Sequence, residues 1–153
     1  MIIAPPKCGK TTFVRYLAKK ISSQKQLPSV VVIDERGEIF AQDNGVSSFD
    51  TGINTCVLSY INKSKGLDFA VKNLSPDIII CDEISSFSEA EALRNTITAG
   101  VSVIFTVHGK NHNDILMSDK YSCLSEYIDY YIELSCAKGA GTIERCAELL
   151  YDT

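Results

Sequence analysis

The sequence predicts an α/β fold, a mainly parallel sheet with helices on both faces and a hairpin at its carboxyl end. Three observations predict it. Near-continuous apolar runs recur at Val30 to Ile33, Asp77 to Cys81, Val101 to Val107 and Tyr130 to Leu134, the pattern of strands buried on both faces. Segments with helical periodicity lie between them, which requires crossovers of the right-handed βαβ kind. Residues 4–11 read Ala-Pro-Pro-Lys-Cys-Gly-Lys-Thr, a G-x-x-x-x-G-K-[ST] phosphate loop with alanine in place of the first glycine.

Taken in order, Met1-Ile2-Ile3 is a stub of apolar strand, short for the strand that leads into a phosphate loop, and is expected to be the start of a truncated or isolated core. Phe13, Val14, Leu17, Ala18 and Ile21 then mark one face of a helix. The stretch Gln42 to Tyr60 is polar, holds Gly45 and Gly52, and predicts loops with one short strand. Leu67, Ala70, Val71 and Leu74 recur at i, i+3, i+4 and i+7. A further helix over Glu89 to Thr98 is expected to open with the capping box Ser88-x-x-Glu91 and to stop at Gly100. Tyr130 to Cys136 and Thr142 to Glu148 read as a hairpin across Lys138-Gly139-Ala140-Gly141.

Composition limits the function classes. A chain of 153 residues is one domain by length, 1–153, and can bury about 68–70% of its unfolded surface around one core. A formal charge of −4 argues against nucleic-acid binding and against attachment to a membrane by charge. No apolar run approaches the ~18 residues that span a bilayer, so membrane insertion is not expected and a cytoplasmic location is. The six cysteines form no C-x-x-C pair and have only two histidines for company, so zinc spacing is absent and most read as small hydrophobes. Cys8 is the exception: beside Lys10 and a helix start, it is expected to favour the thiolate, with oxidation blocking nucleotide binding.

The phosphate loop dictates the chemistry. A triphosphate needs converging backbone N–H groups, a flexible cation and a hydroxyl on Mg²⁺; Gly9, Lys10 and Thr11 offer these in order, and Thr12 adds a hydroxyl. Pro6, Lys7 and Cys8 complete the loop. Residues 77–83, Asp-Ile-Ile-Ile-Cys-Asp-Glu, form an apolar strand ending in two acids, as a Walker B element requires. Asp82 is expected to hold Mg²⁺ together with Thr11, and Glu83 to polarise the water that attacks the γ-phosphate. Glu35 and Glu38 follow a second strand and can orient Mg²⁺, the water or a neighbouring subunit. His108, at the end of a third strand, can bond the γ-phosphate or its water, whereas His112 reads as a surface residue.

These four blocks in this order resemble the secretion and traffic ATPases of type II and type IV secretion and of pilus motors: phosphate loop Lys7 to Thr12, acidic box Asp34 to Glu38, Walker B Ile78 to Glu83, histidine box Thr106 to Gly109. Within that superfamily the wording is most similar to the stage III sporulation protein AA family. Residues 4–6 (Ala-Pro-Pro), 32–39 (Val-Ile-Asp-Glu-Arg-Gly-Glu-Ile), 75–84 (Ser-Pro-Asp-Ile-Ile-Ile-Cys-Asp-Glu-Ile) and 99–109 carry the resemblance. It implies a RecA-like ATPase core using ATP and Mg²⁺, a ring, expected to be a hexamer, and channel proteins of a secretion-like complex at the cytoplasmic membrane face. It also implies an arginine finger, with Arg36 and Arg94 as candidates. Set against the family pattern, the chain is expected to be without its N-terminal domain, and it has Asn54 and Cys56 where an arginine and an aspartate are expected, and Ala4 for glycine. A nucleotide kinase or phosphotransferase also needs a phosphate loop, but the four arginines here are not clustered as a lid requires; a non-hydrolysing nucleotide-binding remnant is the third reading.

Overall fold

The computed structural model describes residues 1–149; residues 150–153, the end of the expected domain, lie outside the described residues. Seven strands form the sheet: β1 (Ile2–Ala4), β2 (Val30–Asp34), β5 (Thr55–Ser59), β6 (Ile78–Glu83), β7 (Ser102–His108), β8 (Tyr130–Ser135) and β9 (Thr142–Glu148). Their order is β5-β2-β6-β7-β1-β8-β9, parallel from β5 to β8, with β9 antiparallel at one edge. The expected parallel sheet and terminal hairpin are both present.

Alternation along the strands divides the core in two. Ile2, Ala4, Val30, Val32 and Ile80 face helix α1 (Lys10–Ser22) through Val14 and Ala18. Ile3, Val31, Ile33, Ile79 and Cys81 face the other layer, built from α2 (Lys63–Leu74), α3 (Phe87–Thr98), the short α4 (His112–Leu116) and a 3₁₀ segment over Asp119–Tyr127. With helices on both faces, both sides of each central strand lose contact with water, which is why these strands read as unbroken apolar runs. The brief β1 is fully buried and central, pairing in parallel with β7 and β8, so three residues suffice there.

Several boundaries differ from the sequence expectation. The stretch Gln42 to Tyr60 contains three strands, not one. A two-stranded antiparallel pair, β3 (Gln42–Asp43) with β4 (Val46–Ser47), turns at Asn44-Gly45, and β5 pairs with all of β2. The sequence expects one short strand in this stretch without placing it, because β5 is an edge strand whose Cys56 faces solvent. Asp77 lies before its strand, its carboxylate accepting the Ser29 N–H at 2.7 Å. The capping box of α3 is Ser86 with Glu89, not Ser88 with Glu91: Ser86 Oγ accepts from the Glu89 N–H, and the Glu89 carboxylate accepts from the Ser86 N–H. Both registers satisfy the S-x-x-E pattern. The strand ladder decides, because the Ile84 N–H still bonds Thr106 O, leaving the chain to turn at once into the helix. Gly100 does end α3, as expected.

Asp34, at the end of β2, is fully buried, and its carboxylate accepts the N–H groups of Ile39 (3.0 and 3.1 Å) and Phe40 (3.0 Å). It thereby bends residues 35–38 outward over the strand ends. Replacing it leaves two buried donors without acceptors. Asp34→Ala is therefore expected to lower the unfolding free energy by about 2–4 kcal/mol in a urea titration. Asp50→Ala, which breaks an exposed pair with Lys19 and an exposed bond from the Gly52 N–H, should stay within about 1 kcal/mol of the wild type.

Candidate nucleotide site

The loop between β1 and α1 brings the first functional groups together. Gly9 has φ +84°, a conformation glycine adopts freely, and a Cβ there would stand 2.8 Å from the Gly141 nitrogen. Glycine is thus required both by its own backbone and by the close approach of the hairpin turn. No side chain caps α1 among the described residues, whereas Asn62, Ser86 and Asn111 cap α2, α3 and α4. The first-turn N–H groups of α1 therefore remain available to an anion, reinforced by the helix dipole.

The carboxyl ends of β2 and β6 supply the acids. A β-bulge falls between Cys81 and Glu83, where the pairing with β7 slips by one residue. In a regular strand, Asp82 and Glu83 would point to opposite faces; the bulge re-aims them, and both line the same cleft. That cleft is also lined by Lys10, Thr11, Glu35, Arg36 and Glu38. Of the expected loop residues, Pro6, Lys7 and Thr12 are exposed, while Cys8 is buried under the hairpin turn.

Two chains of polar contacts organise the cleft. In the first, the Lys10 ammonium donates to the carbonyls of Ala4 (3.1 Å) and Pro5 (3.3 Å) and to His108 Nδ1 (2.9 Å). His108 Nε2 in turn lies 2.8 Å from Glu83 Oε2. An ammonium can only donate, so Nδ1 accepts and the ring proton sits on Nε2, facing the carboxylate. Burial lowers the Lys10 pKa against the raising charges of Glu83 and Cys8.

The second chain centres on Lys63, which the sequence did not reveal as a site residue. Its side chain is 3% exposed, lies 2.8 Å from Asp82 Oδ1, 3.7 Å from Glu35 and 3.8 Å from Glu89, and donates to the Glu83 carbonyl. Burial lowers its pKa, but the hydrogen bond and charge of Asp82, followed by the charge of Glu89, outweigh burial and raise it overall. Asp82 is pushed up by burial and by Asp34 and Glu35, with Lys63 opposing. Glu35 also accepts the Lys63 backbone N–H at 3.3 Å, which ties it to the start of α2.

Two expectations are corrected here. Cys8 does not favour the thiolate: a hydrogen bond with the Cys136 thiol and then burial raise its pKa, outweighing the lowering by Lys10. His112 is not a free surface residue. Its Nδ1 lies 3.0 Å from Glu133, and its ring stacks on Tyr131 at 4.4 Å, which anchors α4 to β8.

The residues present fit a nucleoside triphosphate with Mg²⁺: an uncapped helix start, a glycine cradle, an ammonium, and a hydroxyl and a carboxylate, Thr11 and Asp82, on one cleft. The same geometry predicts that Lys63→Met costs about 2–4 kcal/mol at pH 7, because Asp82, Glu35 and Glu89 lose their shared cation. Without Lys63, the folded-state pKa of Asp82 rises further above its unfolded value. The penalty is then present at pH values above that folded pKa and disappears as acid protonates Asp82. Urea titrations at neutral and acidic pH should show the deficit shrinking on acidification; an equal deficit at both would contradict the charge-balance account.

The family model for sporulation stage III, protein AA matches residues 1–149. Stage III sporulation protein AA of Bacillus subtilis (strain 168) is 37% identical over 150 residues, covering 95% of this chain and 49% of that protein. The chain thus spans about half the length of that relative. Among solved structures, the VirB11 ATPase of the Brucella suis type IV secretion system superposes with a TM-score of 0.69 at 15% identity, over 96% of this chain and 48% of that one. The pilus retraction motor PilT with bound ADP gives 0.64 at 17% identity, over 86% and 41%. At such identity these likenesses concern the fold, that of secretion ATPases. The family match and the sequence identity together establish that the chain belongs to the sporulation stage III protein AA family.

Proposed function

We propose that this chain is the ATP-hydrolysing core of a secretion-type motor. The observation that carries the reading is the convergence of Lys10, Thr11, Asp82 and Glu83 on one cleft at the carboxyl ends of parallel strands. Lys10 leaves its loop carbonyls and His108 to neutralise the β- and γ-phosphates, and the α1 N–H groups and Gly9 backbone receive the remaining phosphate charge. Thr11 and Asp82 would hold Mg²⁺, which when bound would neutralise phosphate charge. Lys63 keeps Asp82 ionised and aimed. Glu83 accepts the proton of the attacking water, its carboxylate oriented by the His108 Nε2–H.

His108 couples the two states. With Lys10 on Nδ1, the relay Lys10–His108–Glu83 is closed; with Lys10 on phosphate, Nδ1 is free to accept from a water or, once it gains a proton, to donate to the γ-phosphate. Glu38 and Arg36 are exposed at the rim, where Glu38 can orient the water and Arg36 can reach a neighbouring subunit's phosphates. Glu35, tied to α2 and Lys63, positions rather than reacts. The family relationship supports a ring, in our reading a hexamer, which serves membrane channel proteins from the cytoplasmic face. No helix among the described residues is long and apolar enough to cross a membrane, consistent with peripheral attachment through partners.

Lys10→Ala is expected to abolish binding of a fluorescent ATP analogue. Glu83→Gln should retain binding and lose turnover by about 10²–10⁴-fold in a phosphate-release assay. A Glu83→Gln protein with wild-type turnover would move the base role to Glu38 or Glu35.

A further inference from the structure

The hairpin turn between β8 and β9 sits directly on the phosphate loop. The Gly141 N–H donates to Cys8 O at 3.0 Å, and Cys136 Sγ lies 3.7 Å from Lys7 O, the carbonyl of the peptide unit that leads into Cys8. Held by these two contacts, the Cys136 thiol lies close enough to Cys8 to be the first cause of its raised pKa. Cys136 is exposed and Cys8 is 6% exposed, so one member of the pair meets solvent while the other is shielded beneath it. Sequence distance hides this pair; the parallel placement of β1 beside β8 creates it.

From this clasp we infer that Cys8 and Cys136 form a reversible disulfide that locks the phosphate loop to the hairpin turn and lowers its affinity for nucleotide. The oxidant is a peroxide. Its O–O bond breaks as the exposed Cys136 sulfur attacks, giving a sulfenic acid and water from hydrogen peroxide. The Cys8 sulfur then attacks the Cys136 sulfur; the S–S bond forms, the S–O bond breaks, and the hydroxyl leaves as a second water with the Cys8 proton. Two thiols lose two electrons in total, and one peroxide gains them. Closing a thiol contact to a bond of about 2.05 Å draws the turn and loop together. Gly139 and Gly141, both at positive φ, leave the turn free to follow, whereas the phosphate loop loses the freedom to wrap a ligand.

Cys81 and Cys56 are poorly placed for this chemistry. Cys81 is fully buried with its pKa pushed up to about 12, and Cys56 lies on β5, the opposite edge of the sheet from the hairpin. The effect on nucleotide rests on the phosphate-loop reading above, whereas the cross-link itself does not.

The test uses the whole chain, reduced and then treated with hydrogen peroxide, with free thiols alkylated before tryptic digestion and fragmentation mass spectrometry. A peptide joining Cys8 to Cys136, absent from the Cys136→Ser protein, is expected. Binding of a fluorescent ATP analogue should fall in the oxidised wild type, return with dithiothreitol, and be insensitive to peroxide in Cys136→Ser. Cys8 remaining fully alkylatable after peroxide, or linked elsewhere, overturns the disulfide. A complete Cys8–Cys136 cross-link with unchanged affinity overturns its regulatory effect. If the reduced protein binds no nucleotide at all, the nucleotide reading and the regulatory effect both fail, while peptide mapping still decides the disulfide.

Discussion

Charge balance at the carboxyl ends of β2 and β6 is the constraint on which the site depends. Glu35, Asp82, Glu83 and Glu89 crowd one end of the sheet, where a parallel arrangement delivers them whatever their mutual repulsion. Lys63, almost fully buried, offsets three of these acids and donates to the backbone of the fourth. A buried ion cluster of this kind is poor evidence for stability, because desolvation opposes the Coulombic gain. Its value is positional: it fixes the side chains of Asp82 and Glu35 and draws in the capping residue of α3.

That cluster connects the framework to the cleft. Glu89 serves as the capping-box acid for α3 and contacts Lys63 at the same time, so the start of α3 and Asp82 at the end of β6 share one anchor. Asp34 performs the corresponding task on the other side, folding residues 35–38 over the strand ends through the Ile39 and Phe40 N–H groups. The bulge at Asp82 completes the arrangement by turning two successive acids toward one cavity. Lys10 then closes the cleft from the phosphate-loop side through His108.

Much of this was legible in the sequence because it depends on local periodicity. The apolar runs from Val30 and Ile78, the helix from Lys10, and the glycine turn at 138–141 follow from side-chain spacing and turn chemistry alone. The four motif blocks identified Lys10, Asp82, Glu83 and His108, which the fold brings within one cluster of contacts. Lys63 was not legible, since nothing in Asn-Lys-Ser-Lys marks which lysine turns inward; the only available hint was an excess of acids at strand ends with no cation assigned to them. The register of the α3 cap was ambiguous because two S-x-x-E patterns overlap. The bounds of the one strand expected between Gln42 and Tyr60 were hidden by the edge position of β5, and the contacts of Cys8 with Cys136 and of His112 with Glu133 join residues far apart in sequence.

In the proposed mechanism the Lys10 ammonium is shared in turn between His108 and a bound triphosphate. The most direct measurement is nitrogen NMR of the two histidine rings during titration with a non-hydrolysable ATP analogue and Mg²⁺. The His108 Nδ1 resonance should shift as Lys10 leaves it, while His112, held by Glu133 and Tyr131, stays fixed. Saturating nucleotide that leaves the His108 resonances unchanged would contradict the account.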